Sequence, residues 1–278
     1  MDEYRKVIRT GIIILVILVV AVGIYYFFFY KKGKESVTSE EALKKRLAEV
    51  AAEESISKEK KGIQELPPVK LDKSDDLVRE LAQGLSSQPN FGAWLKTKDL
   101  IRKFTAAVDN IANGLSPRLQ IEFFTQAEDL KVIKKDRKFY VNPASYERYN
   151  LVVDVFDSLN VEECVTFYKK FKPLIQEAYR DLGYPKEDFD QTLFRAIVEL
   201  LKTPVVRGDI LVEKKIVTYM MVDQKLESLS EAQKHLLRMG PENVEIVQAK
   251  LLQLARAFGF PESQIPQPKI YSPETRRF

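Results

Sequence analysis

The stretch KDLIRKFTAAVDNIAN, residues 98–113, carries the pattern that decides the fold class. Its apolar side chains recur every three or four residues, the spacing that places them on one face of an α-helix. Gly114 follows and is predicted to end the helix, since glycine readily takes the left-handed conformation after a last helical turn. The stretch therefore predicts an amphipathic helix packed on a core, with these core positions: Leu100, Ile101, Phe104, Val108, Ile111 and Ala112.

Helical patterns also flank this stretch on both sides. Ser74 is predicted to cap a helix that starts at Asp75 and ends at Gly84. Near the other end, Gly240 closes one helix and Pro241 opens the next, because proline suits a first helical position. The remaining predicted helices cover residues 143–157, 161–182, 187–202, 228–239 and 241–258.

Short β-prone runs interrupt the helices. Two of them flank a predicted turn at residues 136–138, which favours a small hairpin. Because helices dominate both ends of the domain, a doubly wound α/β sheet is disfavoured. The predicted fold class is therefore mainly α: a multi-helix globular domain with one or two small β elements. The β-prone runs are residues 121–124, 131–134, 139–141, 210–212 and 216–220.

Residues 11–30 form a run of uncharged, almost wholly apolar side chains. As a helix with a rise of about 1.5 Å per residue it is roughly 30 Å long, which matches the hydrocarbon core of a bilayer. The run ends in Tyr and Phe residues followed by Lys31 and Lys32, a pattern typical of a membrane interface rather than of a cleaved signal peptide. It predicts a single N-terminal transmembrane helix.

The orientation of this anchor is predicted from the lengths of its flanks. Basic residues lie on both sides of the run, so the charge balance does not decide the orientation. A short basic tail, residues 1–10, precedes it, and large domains translocate largely regardless of their charge. We therefore expect the N-terminus in the cytoplasm and the globular domain on the opposite side of the membrane.

The rest of the chain divides into three predicted parts. Residues 31–70 form a charged linker, ended by Pro67 and Pro68. Within it, the helical stretch 39–54 has a narrow apolar stripe, which is compatible with a solvated stalk or with weak self-association as a short coiled coil. Residues 71–260 are predicted to be the globular domain and residues 261–278 a proline-rich tail.

Composition disfavours several functions. From residue 71 onward the chain has 31 basic and 30 acidic residues, a balance that argues against a nucleic-acid partner. Cys164 is the only cysteine and His235 the only histidine, so zinc motifs are excluded and no internal disulfide forms. We expect Cys164 and Trp94 to be core residues. Phosphate-binding glycine loops are absent from the sequence, and no cofactor is predicted.

Several stretches together resemble the bacterial family known as domain of unknown function 3014. They cover most of the chain between about residues 66 and 259, in the family's order. The resemblance implies an anchored envelope protein of Gram-negative bacteria with no assigned activity. With the expected orientation, this means a bacterial inner-membrane protein whose N-terminus is cytoplasmic and whose globular domain is periplasmic. The linker of this chain is rich in Lys and Glu, where family members often carry Pro and Ala. The matching stretches are Ala93–Leu95, Asp99–Phe104, Val108–Ala112, Ser116–Arg118, Leu182–Pro185, Leu237–Asn243 and Gln248–Lys250.

Polar residues within the matching stretches are the candidate binding residues. Arginines among them suit bidentate recognition of a carboxylate or phosphate. Helix caps and buried polar pairs would explain the same residues without any ligand. The set consists of Arg102, Asp109, Asn110, Arg118, Arg238 and Asn243.

Two functions follow as hypotheses. The first is a non-catalytic binding, scaffold or assembly module that contacts another envelope protein. The second is a membrane-tethered, carboxylate-based hydrolase of envelope polymers or lipids. Its candidate acid pairs are Glu162 with Glu163 and Asp188 with Asp190, although adjacent helical residues such as the first pair point in different directions.

Overall fold

The computed structural model describes residues 68–117, 130–216 and 218–273. Over these ranges the chain is mostly helical with a few short strands, which confirms the mainly-α fold class. The predicted anchor and almost the whole predicted linker lie outside the described residues, as does the β-prone run 121–124. Among the helices that are described, none has both the length and the apolar character needed to cross a bilayer.

Seven of the described helices follow the predicted order along the chain, and two short helices, Phe91–Trp94 and Gln224–Glu227, were not predicted. Short 3-10 turns at residues 71–73, 83–85, 143–145, 147–149 and 262–264 accompany them. The α-helices are α1 Asp75–Ala82, α2 Phe91–Trp94, α3 Leu100–Ala112, α4 Asn150–Asp157, α5 Val161–Asp181, α6 Phe189–Leu201, α7 Gln224–Glu227, α8 Glu231–Leu237 and α9 Pro241–Ala257.

The strands form two small sheets. The larger sheet has the order β1-β2-β4-β5 and all its neighbours are antiparallel. In the smaller one, β3 and β6 pair in parallel. The strands are β1 Val132–Lys135, β2 Lys138–Val141, β3 Val205–Val206, β4 Leu211–Lys214, β5 Tyr219–Met221 and β6 Ile270–Tyr271.

The main core lies between the long helices. Helix α3 packs against α5 and α6, and α9 packs against α4 and α6. Large aromatic side chains fill the centre: the Phe104 and Phe189 rings lie 5.7 Å apart, and Trp94 is 1% exposed. The predicted stripe of α3 faces this core, with only Ala112 of its six members half-buried. Burial of Trp94 confirms its predicted role as a core residue.

Helix α3 receives its N-terminal cap from another helix. Asp75 accepts hydrogen bonds from the backbone N–H groups of Asp99 (2.8 Å) and Leu100 (2.9 Å). Those N–H groups have no partner within α3, so the carboxylate of α1 satisfies them and favours the positive end of the helix dipole. Ser74 does precede α1, but the predicted side-chain cap is wrong: its hydroxyl donates to the carbonyl of Leu71 (2.7 Å) instead.

Two predicted helices begin later than expected. The stretch 143–157 starts with two 3-10 turns, and α4 begins only at Asn150. The stretch 228–239 becomes helical at Glu231, because Ser230 and Gln233 form a capping box that fixes the first turn. The signal is local, since a serine followed three residues later by a glutamine is the sequence pattern of a capping box.

A second, smaller core lies beneath the four-stranded sheet. It includes Val141, Val212 and Leu237 and encloses a cavity of about 20 Å³. Gly240 connects α8 to α9 at this point with φ 89° and ψ 160°, and a Cβ at this position would overlap the side chain of Tyr146. The predicted boundary is confirmed, since Pro241 is the first residue of α9.

The chain after α9 returns to the domain. Gly259 follows the helix with φ 72°, and the tail then runs back to pair β6 with β3. The N–H groups of Val205 and Arg207 donate to the carbonyls of Lys269 and Tyr271, both at 2.8 Å. The described part of the predicted tail is therefore held on the domain by backbone hydrogen bonds.

Candidate functional site

The end of α5 positions an aromatic pair. Gly183 follows the helix with φ 107°, and its N–H donates to the carbonyl of Arg180 at 3.0 Å. This left-handed residue reverses the chain, as expected for a glycine after a last helical turn. The reversal stacks Tyr184 on Tyr179, with ring centroids 4.5 Å apart and planes 13° apart. Tyr179 is buried and Tyr184 is half-buried at the surface.

Asp109 of α3 faces this pair. Its Oδ2 accepts a hydrogen bond from the Tyr184 hydroxyl (3.3 Å), and its Oδ1 accepts one from the Asn113 side-chain amide (3.2 Å). Two of the stretches that resemble the family, Val108–Ala112 and Leu182–Pro185, thus meet in space. The sequence alone does not indicate this contact, because the two residues are 75 positions apart.

Helix α6 supplies the third side of the group. Thr192 is buried, and its Oγ1 lies 2.7 Å from the Tyr179 hydroxyl. The same oxygen accepts a hydrogen bond from Nη2 of the exposed Arg195 (3.0 Å). We call this group the Asp109 patch; it consists of Asp109, Asn113, Tyr179, Tyr184, Glu187, Thr192 and Arg195.

The charges of the patch act on one another. Burial raises the pKa of the Asp109 carboxyl above its ordinary value, and the negative charge of Glu187 adds to the rise. Hydrogen bonds from Tyr184 and Asn113 and the positive charge of Arg195 oppose the rise without cancelling it. Burial likewise raises the pKa of Tyr184. The patch thus joins a carboxyl group whose proton is retained to higher pH with an exposed cation and a tyrosine hydroxyl.

Arg102 lies two turns before Asp109 on the same helix, as predicted. Its guanidinium bridges Asp72 (2.8 Å) and Asp181 (2.6 Å), and its side chain is 38% exposed. The bridge joins the segment before α1 to the last residue of α5. Arg102 and Asp109 therefore both contact the C-terminal end of α5 or the loop after it, but the partners of Arg102 explain it as a structural residue.

Asn243 and Arg238 lie at the junction of α8 and α9. The Asn243 amide donates to the Met239 carbonyl (3.0 Å) and to Asn150 Oδ1 (3.0 Å), so it joins α9 to α4. Arg238 borders the small cavity beneath the sheet. Asn110 lies on α3 next to the patch, and its carbonyl accepts the N–H of Leu115 at 2.8 Å. Arg118 lies outside the described residues.

The candidate acid pairs belong to helix starts. Glu162 and Glu163 are exposed in the first turn of α5. Asp188 caps α6 by accepting the N–H of Asp190 (3.1 Å). Asp190 in turn accepts hydrogen bonds from the Tyr168 hydroxyl and from the Lys172 ammonium group. In the second pair, both carboxylates are therefore engaged in joining α5 to α6.

Cys164 and His235 have structural surroundings. Cys164 is fully buried in α5, as predicted, and burial raises the pKa of its thiol well above its ordinary value. The His235 Nε2 lies 2.9 Å from the Ser116 hydroxyl and so connects α8 to the segment after α3. Over the described ranges, no three His, Cys, Asp or Glu side chains are grouped so as to hold a metal ion.

The stretch Gln248–Lys250 also has a structural explanation. The Gln248 amide donates to the carbonyls of Leu201 (3.2 Å) and Thr203 (2.7 Å), which lie at the end of α6. Lys250 is buried and its ammonium group lies 3.6 Å from a carboxylate oxygen of Asp157. Both residues attach α9 to its neighbours in the core.

Sequence reasoning identified Asp109 but missed the rest of the Asp109 patch. Tyr184 lies in the matching stretch Leu182–Pro185, but it was not among the predicted binding residues. Thr192 and Arg195 stand in an unremarkable helical pattern. These residues come together because α3, α5 and α6 pack against one another, and this packing is known only from the fold.

Comparison with known proteins supports the resemblance seen in the sequence. Searches of curated proteins and of solved structures returned no significant match. A family model, described as protein of unknown function (DUF3014), matches residues 100–255. The match covers more than half of the chain and includes the whole Asp109 patch. The chain therefore belongs to the DUF3014 family.

Proposed function

We propose that this chain is a single-pass, membrane-anchored protein of the bacterial envelope whose helical domain binds another envelope protein through the Asp109 patch. The anchor, residues 11–30, is inferred from sequence. One observation carries the binding role: Tyr184, Asp109 and Arg195 form a mixed aromatic and charged group at the surface, held in place by buried Tyr179 and Thr192.

The composition of the patch suits protein recognition. Tyrosine and arginine are enriched among the residues that dominate binding energy at protein interfaces. Arg195 presents a guanidinium that can bind a partner carboxylate in a bidentate manner, and Thr192 restrains its position. The stacked ring of Tyr184 offers a rigid apolar surface beside it. Other charged groups, such as Arg102 and Asp190, already form ion pairs within the domain.

Affinity capture tests this role. The full chain and its Arg195→Glu variant are captured from membranes solubilised in several mild detergents, and Lys169→Glu is the control because Lys169 is an exposed cation on α5. We expect one partner to be recovered with the wild type and the control and to be lost with Arg195→Glu. Recovery of the chain alone in every detergent, or equal recovery with all three proteins, would contradict the proposal.

Topology is tested separately. We propose a cytoplasmic N-terminus and a periplasmic domain, supported by the short basic tail before residue 11. Alkaline phosphatase fused after Phe278 is expected to be active and a green fluorescent reporter at the same place to be dark. The reverse pair of results would place the domain in the cytoplasm and change the set of available partners.

A carboxylate-based hydrolase of envelope polymers or lipids is the second candidate. It is favoured by one observation: burial raises the pKa of the half-buried Asp109 carboxyl above its ordinary value, which is the direction that a general acid requires. Release of soluble products from isolated envelopes would support it if Asp109→Asn abolished that release. Equal rates for the wild type and Asp109→Asn would remove Asp109 as the acid.

A further inference from the structure

The four-stranded sheet brings two chain reversals to the same end. Strands β1 and β2 are joined by Asp136 and Arg137, which have φ values of 47° and 62°. Strands β2 and β4 are antiparallel, with Phe139 opposite Val212. The end of β4 therefore lies beside the start of β2, and the β4–β5 connection projects next to the β1–β2 turn. We call residues 134–138 and 213–216 the basic tips.

Positive charge is concentrated in the basic tips. They contain six basic and two acidic residues, and their net charge of +4 equals the formal net charge of the whole chain. From residue 71 onward, the residues outside the tips are 25 basic and 28 acidic. Every residue of the tips is exposed. The domain is therefore nearly neutral in total but carries a concentration of positive charge at one end. The basic residues of the tips are Lys134, Lys135, Arg137, Lys138, Lys214 and Lys215.

Neighbouring carboxylates neutralise only part of this charge. Lys135 pairs with Asp209 (2.9 Å), and Lys215 pairs with Glu213 (3.1 Å). Both pairs are solvent-exposed, and such pairs contribute little and weaken as salt rises. The tips therefore keep an attractive potential for anions.

An apolar side chain stands among these cations. Ile216, at the end of the β4–β5 hairpin, is 97% exposed, the highest value among the exposed large apolar side chains of the described residues. Met220 (37%) on the adjoining strand and Val222 (42%), directly after that strand, are also exposed. Cations around a projecting aliphatic group match the two layers of a membrane surface, where headgroups carry the anions and the acyl boundary accepts apolar groups.

We propose that the basic tips dock the domain onto an anionic lipid surface, with lysines at the headgroups and Ile216 at the acyl boundary. This interaction goes beyond the proposed protein-binding role and uses different residues. An aliphatic tip favours lipid over nucleic acid, since single strands are bound by exposed aromatic rings on which bases stack. The predicted linker is long enough: at about 3.5 Å per residue, residues 31–70 reach up to about 140 Å.

The test places a reporter at Ile216. The full chain carrying Ile216→Cys is labelled with a polarity-sensitive dye and reconstituted into vesicles. Cys164 is fully buried, so labelling is expected to be confined to the new cysteine. Vesicles of phosphatidylcholine are compared with vesicles that also contain phosphatidylglycerol. We expect a blue shift of the emission, and quenching by nitroxide-labelled lipid, only in the anionic vesicles and less at high salt.

Matched variants make the test specific. Each lysine near an anionic surface contributes to binding by about a factor of five, so Lys214→Gln with Lys215→Gln is expected to weaken docking about 25-fold. The control pair, Lys169→Gln with Lys202→Gln, removes exposed lysines elsewhere and is expected to have no effect. A dye at Ile270→Cys, which is 72% exposed on β6, is the control label.

Three outcomes would overturn the inference. They are equal signals in neutral and anionic vesicles, equal signals from both label positions, and a response of the Ile216 label to added RNA or acidic protein but not to lipid. Extraction with alkaline carbonate separates this question from the proposed function. A chain that resists extraction but gives no Ile216 signal would refute docking by the tips and leave the anchor intact.

Discussion

Substitution of Gly240 by alanine should destabilise the domain far more than alanine at a second glycine with positive φ. Gly240 has φ 89° and ψ 160°, a region that residues with a Cβ rarely occupy. A Cβ placed there would lie 2.5 Å from Cδ2 and 2.9 Å from Cβ of Tyr146. Both the backbone and the packing therefore oppose the substitution.

The expected loss follows from these two contributions. A residue held in a sparsely populated backbone region costs about 1–3 kcal/mol, and forcing extra atoms into a packed site costs about 1–3 kcal/mol. We therefore expect Gly240→Ala to lower the free energy of unfolding by about 4 kcal/mol, which corresponds to about 8–16 °C in Tm for a domain of this size. Gly259 has φ 72° with no atom within 4 Å of an added Cβ, so Gly259→Ala should cost only about 1 kcal/mol.

Thermal unfolding of the full chain in detergent micelles, followed by circular dichroism, measures both losses. A double-mutant cycle with Tyr146→Ala separates the packing contribution, since removal of the ring should make Gly240→Ala less costly. Equal Tm losses for Gly240→Ala and Gly259→Ala would refute the reasoning. An unchanged cost in the absence of the Tyr146 ring would assign the whole effect to the backbone.

Three further predictions concern buried or half-buried groups. Asp109→Asn should raise the free energy of unfolding at neutral pH and leave it unchanged below the ordinary pKa of aspartate. The reason is that the pKa of Asp109 is raised in the folded state, so the wild type loses stability as the pH rises from the ordinary pKa through the raised one. Unfolding by urea at several pH values measures this difference. A larger effect at low pH would contradict it. Cys164 should react with Ellman's reagent only after unfolding, because its thiol is buried and stays protonated; rapid reaction of the native protein would contradict this. Gln248→Ala should lower the free energy of unfolding by about 2–3 kcal/mol, because it leaves buried carbonyls without donors. Gln253 is half-buried, and its substitution by alanine is the control, with an expected cost under about 1 kcal/mol. Equal costs for the two variants would contradict the reasoning.

The sequence predicted the elements whose signals are local. The stripe of α3, the Asp136–Arg137 turn and the Gly240–Pro241 junction each depend on residues that are neighbours in the chain. A predicted helix cap was wrong where residues distant in the chain supply or replace the cap. Ser74 has the residue type of a cap, yet α3 is capped from α1 through Asp75, a contact that no local pattern reveals.

The candidate site was predicted only in part. Asp109 was identified, but Tyr184 contacts it, and Arg195 acts on it through charge, only because α3, α5 and α6 pack together, so their role depends on tertiary contacts. The basic tips were not predicted from the sequence for a related reason. A charge count from residue 71 onward averages them with a slightly acidic remainder, and only the strand order brings residues 134–138 beside residues 213–216.

The parallel pairing of β3 with β6 has a consequence for newly made copies of the protein. Val205 and Ile270 are 65 positions apart, so the edge of β3 has no partner strand until the end of the chain has been synthesised. At about 5–20 residues per second, that interval lasts roughly 3–13 s. An open strand edge is a template for wrong pairing. In newly made copies of the protein, this edge is therefore open to wrong pairing until β6 is in place.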